Sequence, residues 1–130
     1  MEMTQGYIYL YEPPTSSVSD QAALLTASGS EQAGLRPWII VSRDAIHKNK
    51  PTVVGVPLTT KVHKANSYRI LLPAAELIAD LGCSAFQDSV ALCDHVRVLD
   101  ISHLRKKIGR LSENAMLAVL LGLAFVFDIP

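Results

Sequence analysis

Three short groups of residues carry the side chains that phosphodiester chemistry needs. Glu31 and Arg36 sit five positions apart in "EQAGLR"; Thr59 and Thr60 run into Lys61, His63 and Lys64; Asp94, His95 and Arg97 interrupt an otherwise apolar stretch. Arginine offers a phosphate a planar fork of donors, and a glutamate can accept a proton. Gly29 and Gly34 have the spacing of a phosphate-binding loop, but Leu35 and Arg36 follow where Lys-Ser/Thr is required. The segment then enters a strand instead of a helix, so nucleotide cradling is excluded. What remains is a glycine turn that places Glu31 and Arg36 at a strand mouth, with Pro37 fixing the backbone just after the arginine.

Each group also has a structural reading. Glu31 and Arg36 could form a surface ion pair. The threonines could be simple strand formers ahead of a solvated charge run. Asp94 could satisfy backbone donors at a bend, and in an undisturbed strand His95 and Arg97 would share the face opposite it.

The elements that must position these residues are mostly strands. "YIYLY" at 7 to 11 is aromatic and β-branched, and "RPWIIVSR" (36 to 43), "TVVGVPLTT" (52 to 60) and "SYRILLP" read as further strands. A long polar segment separates the first two, a length that marks a functional lid or disorder. "AAELIADLG" (74 to 82) reads as a short helix stopped by Gly82. "SVALCDHVRVLD" (89 to 100) is too long for one strand with a central aspartate, which predicts a bend at Asp94 and His95. "ISHLRKK" reads as a helical turn and "KIGRL" as a last short strand. Ser112 caps a terminal helix whose Met116, Val119, Leu120 and Leu123 share a face. Its apolar residues wrap most of the way round, as in a helix buried on more than one side at a subunit interface or deep in a core. Together these predict a mainly β, partly closed barrel decorated by helices.

At 130 residues, with 49% apolar and 18% charged residues, the chain reads as a single domain, residues 1–130, with an ordinary core. Twelve basic residues balance twelve acidic ones, so any nucleic-acid binding must rest on a local basic patch. No basic leader precedes an apolar core at the start. The longest apolar run, Ala115 to Phe127, is shorter than the roughly 20 residues that span a bilayer. Cys83 and Cys93 form no CxxC, and His47, His63, His95 and His103 lack metal-ligand spacing. The expectation is a cytoplasmic, metal-free protein with two buried thiols and no disulfide.

Taken in order, "GYIY" at 6 to 9, "GSEQAGLRPWIIVS" at 29 to 42, "PTVVGVPLTT" at 51 to 60, "DSVALCDHVRVLD" at 88 to 100 and "KIGRLSENAM" at 107 to 116 resemble the MazF/PemK toxins of bacterial type II toxin-antitoxin pairs. The resemblance implies an SH3-like partly closed barrel with a C-terminal α-helix and short helical insertions, of the CcdB/MazF/Kid-like kind. It also implies a homodimeric, sequence-selective endoribonuclease that cuts single-stranded RNA without a metal or other cofactor. The implied partner is an antitoxin with an acidic disordered segment. The family's catalytic arginine falls on Arg36, its threonine on Thr59 and its motif glutamate on Glu31. RNA contacts are implied for Ser42, Lys61, Lys64, Asp94, His95 and Arg97.

The implied reaction is attack by the substrate's own 2′-hydroxyl on the adjacent phosphorus, giving a 2′,3′-cyclic phosphate and a 5′-hydroxyl. Arg36 would stabilise the charge on the phosphate, Thr59 would orient it, and Glu31 or His95 would be the base. Tyr7 stands where the family usually has an acid, and His95 where it usually has a glutamine. The loop across 13 to 28 is longer than is typical and reads as a lid beside the RNA groove or as plain disorder. A competing reading keeps the fold but makes the chain a non-enzymatic poison that binds a protein, as in the gyrase-binding branch of the superfamily.

Overall fold

The computed structural model describes residues 3–13 and 35–130. Among the described residues, eight antiparallel strands form one sheet: β1 (Tyr7–Tyr11), β2 (Arg36–Ile40), β3 (Thr52–Thr59), β4 (Arg69–Leu72), β5 (Leu77–Ala79), β6 (Ser89–Leu92), β7 (Arg97–Asp100) and β8 (Leu104–Leu111). Its order is β4-β6-β3-β2-β1-β8-β5, with β7 also on β3. One helical turn, α1 (Asp44–His47), joins β2 to β3, and α2 (Glu113–Val126) ends the fold. The sheet is curled and, among the described residues, β4 and β5 leave it open, as the expectation of a partly closed, mainly β barrel requires.

The curl centres on β3. Its first half pairs with β7 and its last two residues with β6, along the same edge. β6 and β7 are thus two halves of one strand, split by a 3-10 turn at Cys93–His95, where the sequence predicts a bend.

Three sequence expectations change. The segment read as a helix over 74–82 is a 3-10 turn at Ala74–Glu76 followed by β5. Leu77–Ala79 pair with Leu111, Arg110 and Gly109 of β8, and those ladder bonds override the helix propensity of an alanine-rich stretch. The predicted last short strand spans eight residues, with the helical turn before it limited to Ile101–His103. Of the two thiols expected to be buried, only Cys93 is; Cys83 is half-buried on the turn after β5, and both are free.

Alternation along the strands divides the sheet's side chains between two faces. One face carries Ile8, Ile39, Val56, Leu58, Ala91 and Cys93 and packs against Ala115 and Val119 of α2. The other carries Tyr9, Tyr11, Trp38, Ile40, Val53 and Leu99, joined by Met3 and Leu104. The helix is anchored at its start, where Ser112 Oγ accepts the Ala115 N–H at 3.0 Å and donates to Glu76. Gly122 allows its close approach, because a Cβ there would meet Ile70 Cγ1 at 2.7 Å and Cys93 Sγ at 2.8 Å. The sheet covers one stripe of α2, while Leu117, Leu121 and Phe125 on its other sides are exposed.

Candidate active site

The strand register assembles the first two site residues. β2 meets β3 with Trp38 opposite Pro57, Ile39 opposite Val56 and Ile40 opposite Gly55. Carried two residues toward the strand ends, that register sets Arg36 across from Thr59. β1 places Tyr11 beside Arg36, and β6 places Val90 beside Thr59. Tyr11, Arg36, Thr59 and Val90 therefore lie in one row across four strands, with side chains toward one face; the recorded pairs are Tyr11 with Arg36 and Thr59 with Val90, and the middle step is the continued register. That face is the one away from α2, since Tyr11 and Trp38 belong to it.

Thr59 is buried, and its Oγ1 accepts the backbone N–H of Lys61 at 3.2 Å. This bond folds the chain back at the strand end and leaves the hydroxyl proton available to donate elsewhere. Lys61 is exposed and Lys64 half-exposed on the 3-10 turn Val62–Lys64, so both cations belong to the loop that leaves Thr59. Glu31 lies outside the described residues, as does most of the long loop.

Asp94 and His95 project from the turn between β6 and β7, beyond Val90, the partner of Thr59. Asp94 is held by a residue that the sequence reading missed. Arg69 of β4 donates through Nε to Oδ1 at 3.0 Å and through a terminal nitrogen to Oδ2 at 2.8 Å. The fork holds the Asp94 carboxyl below the usual carboxylate range and raises the Arg69 guanidinium above its own. His95 Nε2 stands 3.8 Å from Asp94 Oδ2, and its side chain is about half exposed. Arg69 also lies 5.9 Å from the ring of Tyr68, which stacks on Phe125 of α2 at 6.0 Å. The only sequence signal for this role was a single arginine inside an apolar strand.

Arg97 is exposed on β7, opposite Gly55. Its guanidinium carbon lies 5.7 Å from the Trp38 ring centre and 6.0 Å from that of Tyr11, within cation–π range of both. Ser42 is separate from these residues. It is buried, its Oγ accepts the Val54 N–H at 3.1 Å, and it lies six positions beyond Arg36, about 20 Å at roughly 3.3 Å per residue. The structure thus places Ser42 in the frame joining β2 to β3 and away from the Arg36 row. Among the described residues, no group of three or more His, Cys, Asp or Glu side chains could hold a metal ion, and no helix is long and apolar enough to cross a membrane.

A family model described as the PemK-like, MazF-like toxin of type II toxin-antitoxin systems matches residues 21–127. The chain belongs to this toxin family. It is 35% identical to Endoribonuclease MazF of Staphylococcus epidermidis over 98 residues, which span 75% of this chain and 78% of that protein. The fold is similar to that of Mycobacterium tuberculosis toxin MazF-mt6, with a TM-score of 0.66, 18% identity, and 95% and 98% of the two chains covered. A mycobacterial endoribonuclease solved in complex with its cognate antitoxin gives 0.65 at 19% identity, covering 98% of this chain and 96% of that one. For this toxin the fold and family are established together, and the row built around Arg36 and Thr59 is its candidate active site.

Proposed function

We propose that this toxin, a single domain over residues 1–130, is a sequence-selective endoribonuclease that cuts single-stranded RNA without a metal ion. The observation that carries the reading is the β2–β3 register, which, continued two residues past Trp38 and Pro57, brings Arg36 toward Thr59. A guanidinium and a hydroxyl donor on adjacent strands suit a phosphorane-like transition state, in which charge collects on the non-bridging oxygens. Arg36 neutralises that charge and Thr59 donates to the same phosphate. With a guanidinium pKa above 12, Arg36 acts through its charge far more than as an acid. The substrate's 2′-hydroxyl attacks the adjacent phosphorus and the bond to the 5′-oxygen breaks. The products are a 2′,3′-cyclic phosphate and a 5′-hydroxyl.

Glu31, five positions before Arg36 on the same connecting segment, takes the proton of the 2′-hydroxyl in this scheme. His95 is the alternative base, and Glu31→Gln beside His95→Gln separates them by which variant removes the acid limb of the pH–rate profile. Lys61, Lys64, Asp94, His95 and Arg97 contact RNA flanking the cut. Single strands suit such a surface because their splayed bases are open to edge contacts.

The partners follow from surface character. The exposed Leu117, Leu121 and Phe125 of α2 support a homodimer, checked by light scattering at micromolar concentration. The toxin is cytoplasmic in this reading, and its antitoxin partner carries an acidic disordered segment that folds onto the site and competes with RNA. The deciding experiment is cleavage of a defined transcript by purified protein in EDTA, with end mapping. The reading requires internal cuts at a repeated short sequence, with 5′-hydroxyl and cyclic phosphate ends. RNA left intact, or cut only on adding a divalent ion, overturns it.

A further inference from the structure

Most of the cations in the described part of this molecule that approach a carboxylate are neutralised by it: Arg69 by Asp94, Arg105 by Glu12 and Lys107 by Asp80. Arg97 is different. It enters none of these ion pairs, and its charge rests instead against two aromatic rings. Its strand partner Gly55 keeps the intervening surface low, because a Cβ there would meet Leu99 Cδ1 at 2.5 Å and Trp38 Cε3 at 3.3 Å. The guanidinium therefore reaches from β7 across the curled sheet to Tyr11, the residue directly opposite Arg36. Trp38 and Tyr11 meet edge to face at 5.8 Å and are only 6% and 2% exposed. The rings hold the cation but are too enclosed to stack on a base themselves.

We propose that Arg97 binds a second backbone phosphate of the RNA, adjacent to the one cut between Arg36 and Thr59, and so sets the path of the strand through the site. The inference rests on the ribonuclease reading above. A guanidinium whose position is fixed by aromatic packing, with its N–H donors uncommitted to carboxylate, has the chemistry to take an anion by charge-assisted hydrogen bonds. A contact of this kind positions the strand without reading its sequence.

The test uses the whole toxin and a short target RNA carrying a 2′-deoxy residue at the cut, so that it binds without reacting. Arg97→Gln should weaken binding roughly tenfold at low salt. It should also flatten the slope of log affinity against log salt by about 0.7, the loss of one phosphate contact on a single strand. Arg97→Lys should keep most of the slope, and the mapped cleavage sequence should not change in either variant. As a second check, single uncharged methylphosphonate linkages moved along the RNA should weaken wild-type binding at the linkage beside the cut, and Arg97→Gln should lose sensitivity at that linkage alone. An unchanged salt slope, or a changed cleavage sequence at constant slope, overturns the proposal, the second result making Arg97 a base reader. Failure of the wild type to cut unmodified RNA would instead overturn the ribonuclease reading.

Discussion

The two faces of the sheet are built from alternate residues of the same strands and carry different side chains. In β2, Ile39 points into the aliphatic layer under α2, while its neighbours Trp38 and Ile40 point the other way, on the side of Arg36. In β3, Val56 and Leu58 join the layer under the helix, and Thr59 ends the opposite row. The helix-covered face is mainly aliphatic, as close packing favours. The other mixes aromatic rings with guanidinium groups, which hold charge in place at a cost in desolvation. The side chains proposed for chemistry therefore share one strand parity, on a face that also holds a core of its own in Ile40, Val53 and Leu99.

The comparison breaks most clearly at Arg36. Arg36→Ala should lower RNA cleavage by roughly 100- to 1,000-fold, the usual loss when one transition-state donor is removed, with the thermal midpoint nearly unchanged. Growth inhibition should disappear with it. Toxicity that survives the substitution would favour the protein-binding poison, and a large drop in midpoint would show that the two faces are not independent. The opposite result is expected three residues along. Ile39 is fully buried, and Ile39→Ala should cost about 2–5 kcal/mol in denaturant unfolding. The fraction that stays folded should keep its specific activity.

Much of this division was legible in the sequence. The strands holding Arg36 and Thr59, the bend at Asp94 and the Ser112 cap all follow from local pattern and turn chemistry. The misread helix over 74–82 shows where local pattern fails, since Leu77–Ala79 become a strand only because β8 offers a ladder. Long-range pairs were illegible for a related reason. Arg69 and Asp94 lie 25 residues apart and meet only after β4 has paired with β6, with Arg69 opposite Leu92. Arg97 likewise finds Tyr11 only through the curl of the sheet. Glu31 was read from the motif alone and lies outside the described residues.

The Arg69–Asp94 fork sharpens the comparison through pH. Its hydrogen bonds, first among the causes, hold the Asp94 carboxyl below its ordinary value. A depressed carboxyl stabilises the fold above the unfolded aspartate pKa of about 3.9, and that contribution is lost as pH falls through the lower folded value. The midpoint difference between wild type and Asp94→Asn should thus be steady from about pH 7 to 5 and shrink below about pH 4. A difference that grows on acidification would contradict the assignment. The pair is partly exposed, so the effect should be small.

The smallest expected effect is a readout of how tightly the helix-covered face is closed. Cys93 lies fully buried under α2, its Sγ 3.7 Å from the Val119 carbonyl oxygen, and burial pushes the thiol up to about 12. The thiolate is the reactive form, so Cys93 should resist a thiol reagent at pH 8, whereas half-buried Cys83 should react. Native protein should therefore label at one thiol and unfolded protein at two. Gly122→Ala places a methyl group where Cys93 Sγ and Ile70 sit and should push the helix outward. If the helix seals this face, that variant should speed labelling of Cys93 and leave Cys83 unaffected. Equal labelling of both thiols in the native wild type would mean that α2 opens readily, and that the stability assigned to this face comes from the sheet without its helix.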